Sequence, residues 1–157
     1  MAVDRAVSRS IIEFELDKCR EYADKYGWEI SPLDENALSF NVKLTSPIDK
    51  ESFIVSFRCD NYRELPPYID FIDPNSGQSG LKKSYPLSSD GFCHQNALIC
   101  HPCSRKAYRD LNGPHGDWRL VDWERNPKTG ALKSIPAILL AIYERISQPG
   151  VYRGRMK

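Results

Sequence analysis

The sequence predicts an α+β domain: a helix, an antiparallel four-stranded meander, a long irregular segment and a second helix. Three observations predict it. Apolar residues recur at steps of three and four near both ends, they alternate with polar ones between residues 38 and 71, and residues 92–126 hold Leu, Val and Trp without a sustained period. Helices and strands kept apart along the chain, rather than interleaved, are the pattern of an α+β fold. The 157 residues suit one domain spanning residues 1–157, with a sizeable core.

The first helix is expected over residues 4–26. Ile12, Leu16, Cys19, Ala23 and Tyr26 fall on one stripe, whereas Glu13, Asp17, Arg20, Glu21 and Lys25 lie mostly off it. Gly27 ends the helix, and Cys19 is expected in the core. Leu38, Phe40, Val42 and Leu44 then alternate with Ser39, Asn41 and Lys43, and Phe53, Val55 and Phe57 with Ile54, Ser56 and Arg58. Ile69 and Phe71 flank Asp70 in a third run, and residues 28–33 add a strand before them. The connections at 46–51 and 60–67 are short, polar or rich in proline, as a meander requires. Cys59 closes the second clear strand and is expected to carry no chemistry.

Residues 73–89, rich in Gly, Ser and Pro, read as loop. Residues 92–126 read as irregular, with single turns near 106–111. Leu111, Trp118, Val121 and Trp123 argue that this segment packs onto the body. Ser134 caps the last helix, Pro136 fits its first turn, and Ile135, Ile138, Leu139, Ile142 and Ile146 share one face. Pro149-Gly150 stops it, and the basic tail at 152–157 is expected to fray.

Composition narrows the function classes. Hydrophobic residues at 41% and charged residues at 27% place the chain among ordinary globular domains rather than disordered ones. With 22 basic and 21 acidic residues, net charge is +1, and no electrostatic footprint for nucleic acid exists. No run of about 18 apolar residues occurs, so neither a membrane helix nor a membrane partner is expected. The N-terminus, Met-Ala-Val-Asp-Arg-Ala, lacks the apolar core of a secretory signal, so a cytoplasmic location is expected. Thiols stay reduced there, and five cysteines, an odd number, argue against a complete disulfide framework.

The chemistry concentrates in residues 92–118. Cys93, His94, Cys100, His101, Cys103 and His115 lie there, three of the five cysteines and all three histidines. Such residues can hold a metal, present a reactive thiolate or fill a small core. Cys100 and Cys103 form a Cys-x-x-Cys, half of a zinc site that His94 or Cys93 with His115 would complete, although no second regularly spaced pair exists. The same spacing serves redox motifs, but those follow a βα unit and here a meander precedes. Cys103 is the rival thiol to Cys100: nucleophile, oxidation-prone neighbour or inert.

The run Asp60-Asn61-Tyr62-Arg63-Glu64-Leu65-Pro66-Pro67-Tyr68-Ile69-Asp70-Phe71 resembles the stretch of ubiquitin-conjugating (E2) domains where a tyrosine and paired prolines lead into the third clear meander strand. In that family an N-terminal helix precedes the meander. A long irregular segment with the catalytic cysteine follows, then tryptophans, then more helix, and the order is matched here over roughly residues 5–148. The family's active-site segment carries His-Pro-Asn, a Gly, then Ile-Cys-Leu. In its place stands His94-Gln95-Asn96-Ala97-Leu98-Ile99-Cys100-His101. Gln95 replaces the proline, His101 replaces the leucine, and the interval from Asn96 to Cys100 is shorter than in eukaryotic members. Compact, divergent segments of this kind are a feature of bacterial E2-like proteins in ubiquitin-like modification systems, some of them antiviral, and the chain resembles that branch.

The resemblance implies a UBC-like fold and a transferase. Cys100 would accept a ubiquitin-like protein as a thioester from an E1-like activating enzyme and pass it to an amine of a protein target. His94 takes the place of the motif histidine, which shapes the loop, and would relay a proton or simply hold the loop. Asn96 takes that of the asparagine that supports the reaction. His101 relays a proton or holds the loop, and Asp117 orients or desolvates the incoming amine or is a turn residue after Gly116. Arg105, Lys106 or a protonated His101 would favour the Cys100 thiolate, and Asn96 or the Cys100 backbone N–H would donate to the charged carbonyl oxygen. Such a carrier itself uses neither metal nor ATP, so no cofactor is expected. Its N-terminal helix, bearing Arg5, Arg9 and Lys18, would face the E1-like enzyme. The alternative is a non-catalytic module of the same architecture, RWD-like or an E2 variant, whose cysteines are structural or bind zinc.

Overall fold

Helix α1 spans Arg5–Tyr26. The Asp4 carboxylate accepts from the Ala6 N–H at 2.8 Å, satisfying a donor that the first turn leaves free, and Gly27 closes the helix at φ 76°. The expected stripe holds: Ile12, Leu16 and Cys19 are buried. Residues 3–110 and 118–157 are described in this computed structural model.

Strands β1 (Glu29–Ile30), β2 (Ser39–Thr45), β3 (Ser52–Arg58) and β4 (Tyr68–Ile72) form a four-stranded antiparallel sheet in chain order. The register sets Phe40 opposite Phe57 and Val42 opposite Val55, and the next pairing sets Phe57 opposite Ile69 and Val55 opposite Phe71. These side chains form buried rows on one face, and the rings of Phe40 and Phe57 stack at 5.1 Å. Each large side chain gains roughly 1.5–3 kcal/mol on burial, so this face rather than strand propensity holds the meander.

The next stretch is more ordered than its composition implies. Strands β5 (Pro86–Ser88), β6 (Cys93–His94) and β7 (Leu98–Ile99) and the short helix α2 (Arg105–Asp110) lie where loop and single turns were expected. Short 3₁₀ turns at Leu120–Asp122 and Pro127–Thr129 lead to helix α3, Ile135–Ser147. The Ser134 side chain caps α3, Pro136 sits in its first turn, and Ile135, Ile138, Leu139, Ile142 and Ile146 are buried where α3 packs on α1.

The tail does not fray. Strand β8, Tyr152–Arg155, pairs antiparallel with β5. Tyr152 and Met156 are buried, Tyr152 Oη donates to Asp49 at 2.9 Å, and the Arg155 guanidinium donates to Ser52 O at 2.5 Å and Lys83 O at 3.0 Å. Two apolar side chains and a guanidinium that finds carbonyls suffice to order it, although six residues show little period. Among the described residues, no helix is long and apolar enough to cross a membrane.

Candidate functional site

Strands β6 and β7 form a hairpin with Cys93 opposite Ile99 and His94 opposite Leu98. Its turn closes through Ala97 N–H donating to His94 O at 2.9 Å, with Ala97 at φ 60°. His94 Nδ1 accepts from Asn96 N–H at 3.1 Å, so the ring stiffens the turn from within. The Asn96 side chain is exposed at the tip.

Cys100 leaves the hairpin after Ile99. It is part-exposed and rests against a small apolar cluster of Leu98, Ala107 and Trp118. The other four cysteines are fully buried. Burial pushes the Cys19 and Cys93 thiols up to about 12 and those of Cys59 and Cys103 further still, whereas burial raises Cys100 far less. Cys103 is thus closed to solvent and its burial favours the neutral thiol.

The groups expected to activate Cys100 are occupied elsewhere. Arg105 turns to the proline segment: its guanidinium donates to Asp60 Oδ1 at 3.0 Å, Asp60 O at 2.7 Å and Pro66 O at 2.9 Å. Lys106 is buried, with Nζ 2.7 Å from Tyr85 Oη, 3.3 Å from Asp70 Oδ1 and 3.0 Å from Ala97 O. His101 is neutral near pH 7, because burial holds its pKa down to about 4 despite a hydrogen bond to the Lys128 backbone. Its Nδ1 accepts from Cys103 N–H at 3.1 Å and its ring lies 5.7 Å from that of Phe92, so it holds the loop. The Cys100 N–H donates to Phe92 O at 2.9 Å and is not offered to an oxyanion.

The residues of the zinc alternative do not converge. Cys93 and Cys103 belong to the main apolar core, and among the described residues no group of three or more His, Cys, Asp or Glu is placed to hold a metal ion. His115 and Asp117 lie outside the described residues.

The tryptophans pack as expected. Trp123 is buried beside Tyr62 and its Nε1 donates to Arg63 O at 3.0 Å, while Trp118 lies 5.9 Å from Tyr108. Two buried carboxylates escaped the sequence reading. Asp70 partners Lys106 and Tyr85 below the hairpin turn. Glu15 Oε1 accepts from Tyr62 Oη and from the Ile135 N–H, each at 2.7 Å, tying α1 to the start of α3. Glu15 lies three residues after Ile12 and four before Cys19, which placed it on the buried stripe and was the available signal.

No protein-family model matches the chain and no curated protein matches it, so residues and geometry alone carry the functional reading.

Proposed function

We propose that this chain is an E2-like carrier, a transferase of the UBC-like fold. It takes a ubiquitin-like protein from an E1-like enzyme as a thioester on Cys100 and passes it to an amine of a protein target. The proposed setting is the cytoplasm, in a bacterial ubiquitin-like conjugation system of antiviral defence. The observation that carries the reading is the contrast among the thiols: of five, only Cys100 is open to solvent, and it follows a hairpin whose turn is built from His94.

The raised thiol suits a carrier. A thiol of higher pKa ionises less at neutral pH but is the poorer leaving group, so an acyl group on it survives longer before transfer. In the transfer, the Cys100 sulfur bonds to the thioester carbonyl carbon and the bond to the E1 sulfur breaks. An amine then displaces Cys100, which leaves as thiolate and recovers a proton. Asn96, exposed at the turn, is the remaining candidate donor to the carbonyl oxygen in both steps. The outer face of α1, with Val7 and Phe14 exposed and Lys18 one turn on from Phe14, is the proposed E1 surface.

The occupied state of Arg105, Lys106 and His101 favours a second reading, a non-catalytic RWD-like module with structural cysteines. A non-reducing gel of the protein with its E1-like enzyme, ubiquitin-like protein and ATP separates the two. A band lost with reductant and lost in Cys100→Ser supports the carrier. No band with an active E1, or a reductant-labile band that persists in Cys100→Ser, contradicts it.

A further inference from the structure

The ammonium of Lys106 is buried on a six-residue helix beside the hairpin, where an apolar side chain would be the usual occupant. It is held from several sides. Tyr85 Oη, 2.7 Å away, accepts from Nζ and donates to Asp70 Oδ1, and Asp70 Oδ1 also lies 3.3 Å from Nζ. The Phe71 N–H donates to that same carboxylate oxygen at 2.8 Å, fixing it to β4. Nζ also donates to the carbonyl of Ala97 at 3.0 Å. Ala97 is the residue at φ 60° in the hairpin turn, a conformation that disfavours a side chain bearing Cβ, and it stands three residues before Cys100.

A buried ion pair repays its desolvation poorly and is often no more stable than an apolar substitute, so stability alone does not account for this one. What it provides is direction: an anchored cation aimed at one backbone oxygen. We propose that Lys106, oriented by Asp70 and Tyr85, is a positioning residue that holds the Ala97 carbonyl and thereby sets Cys100 for attack on an acyl carbon. It acts through the backbone, since the shift at Cys100 arises from burial and not from a nearby charge. This inference rests on the carrier reading of Cys100.

The test uses the full chain and a synthetic peptide thioester ending in glycine, with mercaptoethanesulfonate as the leaving thiol. The Cys100 sulfur bonds to the glycyl carbonyl carbon, the bond to the mercaptoethanesulfonate sulfur breaks, and that thiolate takes up the proton Cys100 released to solvent. Iodoacetamide alkylation of Cys100, which requires exposure but no acyl geometry, is the control. In Lys106→Met the maximal acylation rate should fall about tenfold with the half-saturating thioester concentration unchanged, the scale of a sub-ångström misplacement, while alkylation does not slow. Tyr85→Phe, which keeps both charges but removes the oxygen that aims the ammonium, should fall about threefold in the same rate, and it carries the test should Lys106→Met fail to fold. A maximal rate within twofold of wild type in Lys106→Met, or in Tyr85→Phe where only that variant folds, overturns the positioning role while leaving the carrier reading intact. Wild-type protein that is alkylated at Cys100 yet never acylated overturns the carrier reading, and this inference with it.

Discussion

Iodoacetamide added to the folded protein at pH 8 should modify one cysteine and spare four. The magnitude follows from burial. A free cysteine is roughly one-quarter thiolate at pH 8. A thiol raised to about 12, as Cys19 and Cys93 are, is thiolate in only about one molecule in 10⁴, some two-thousandfold less. Cys59 and Cys103 lie beyond that, and all four are also closed to the reagent. Cys100 is part-exposed, and burial lifts its thiol only modestly. The assay is intact mass against time, with the modified peptide sequenced. Native protein should stop at one adduct, on Cys100, while protein in guanidinium takes five. Cys100→Ala should label at least about a hundredfold more slowly, because its remaining thiols need an opening of the core. Two or more adducts at the native rate, or Cys103 modified before Cys100, would refute the assignment of accessibility on which the site depends.

Two further outcomes follow from buried ionisable groups. His101 has its folded pKa held below the usual 6.5, so the unfolded chain binds a proton that the folded one refuses between about 6.5 and about 4. Its contribution is present above pH 6.5 and is lost on acidification through that window. Allowing for the solvent that reaches the ring, urea melts should show about 1 kcal/mol lost between pH 7 and pH 5; His101→Gln should flatten that part of the profile, and an unchanged profile would contradict the buried, neutral ring. Glu15 accepts from Tyr62 Oη and the Ile135 N–H, so Glu15→Ala leaves two buried donors unpaired and should cost about 3 kcal/mol, while Glu15→Gln, which keeps an acceptor oxygen, should cost about 1 kcal/mol. Equal losses in the two variants would mean that packing, not hydrogen bonding, sets the cost.

Elements with a strong period were legible from the chain alone. The α1 stripe through Ile12, Leu16 and Cys19 and the alternation through Phe40, Val42, Phe53 and Val55 each name a buried face, because one side of an element must leave water. Strands β5 and β8 were not legible. Each is short, and they lie more than 60 residues apart, as the Ser88–Tyr152 pairing shows, so only the assembled fold makes either a strand. The burial of Asp70 was not legible for a related reason. Alternation puts it on the face away from Ile69 and Phe71, but α2 and β7 cover that face at β4, and it is buried with Lys106. Only its likeness to an active-site motif set Cys100 apart from Cys103 in sequence; its exposure, and the burial of Cys93 and Cys103 around it, depend on the packing of the hairpin. Arg105 and Lys106 were read as free cations near a thiol. Spacing cannot disclose that carbonyls and carboxylates from residues 60–97 claim both.

The most direct measurement is mass spectrometry of the acyl adduct formed with the E1-like enzyme, the ubiquitin-like protein and ATP, digested without reductant so that the linked residue is read from the peptide. The account predicts the ubiquitin-like C-terminus joined to the sulfur of Cys100, and, in Cys100→Ser, either no adduct or an ester to the serine oxygen that survives reductant and breaks in alkali. An adduct on Cys103, on a lysine, or on no residue while the E1-like enzyme is charged would contradict it.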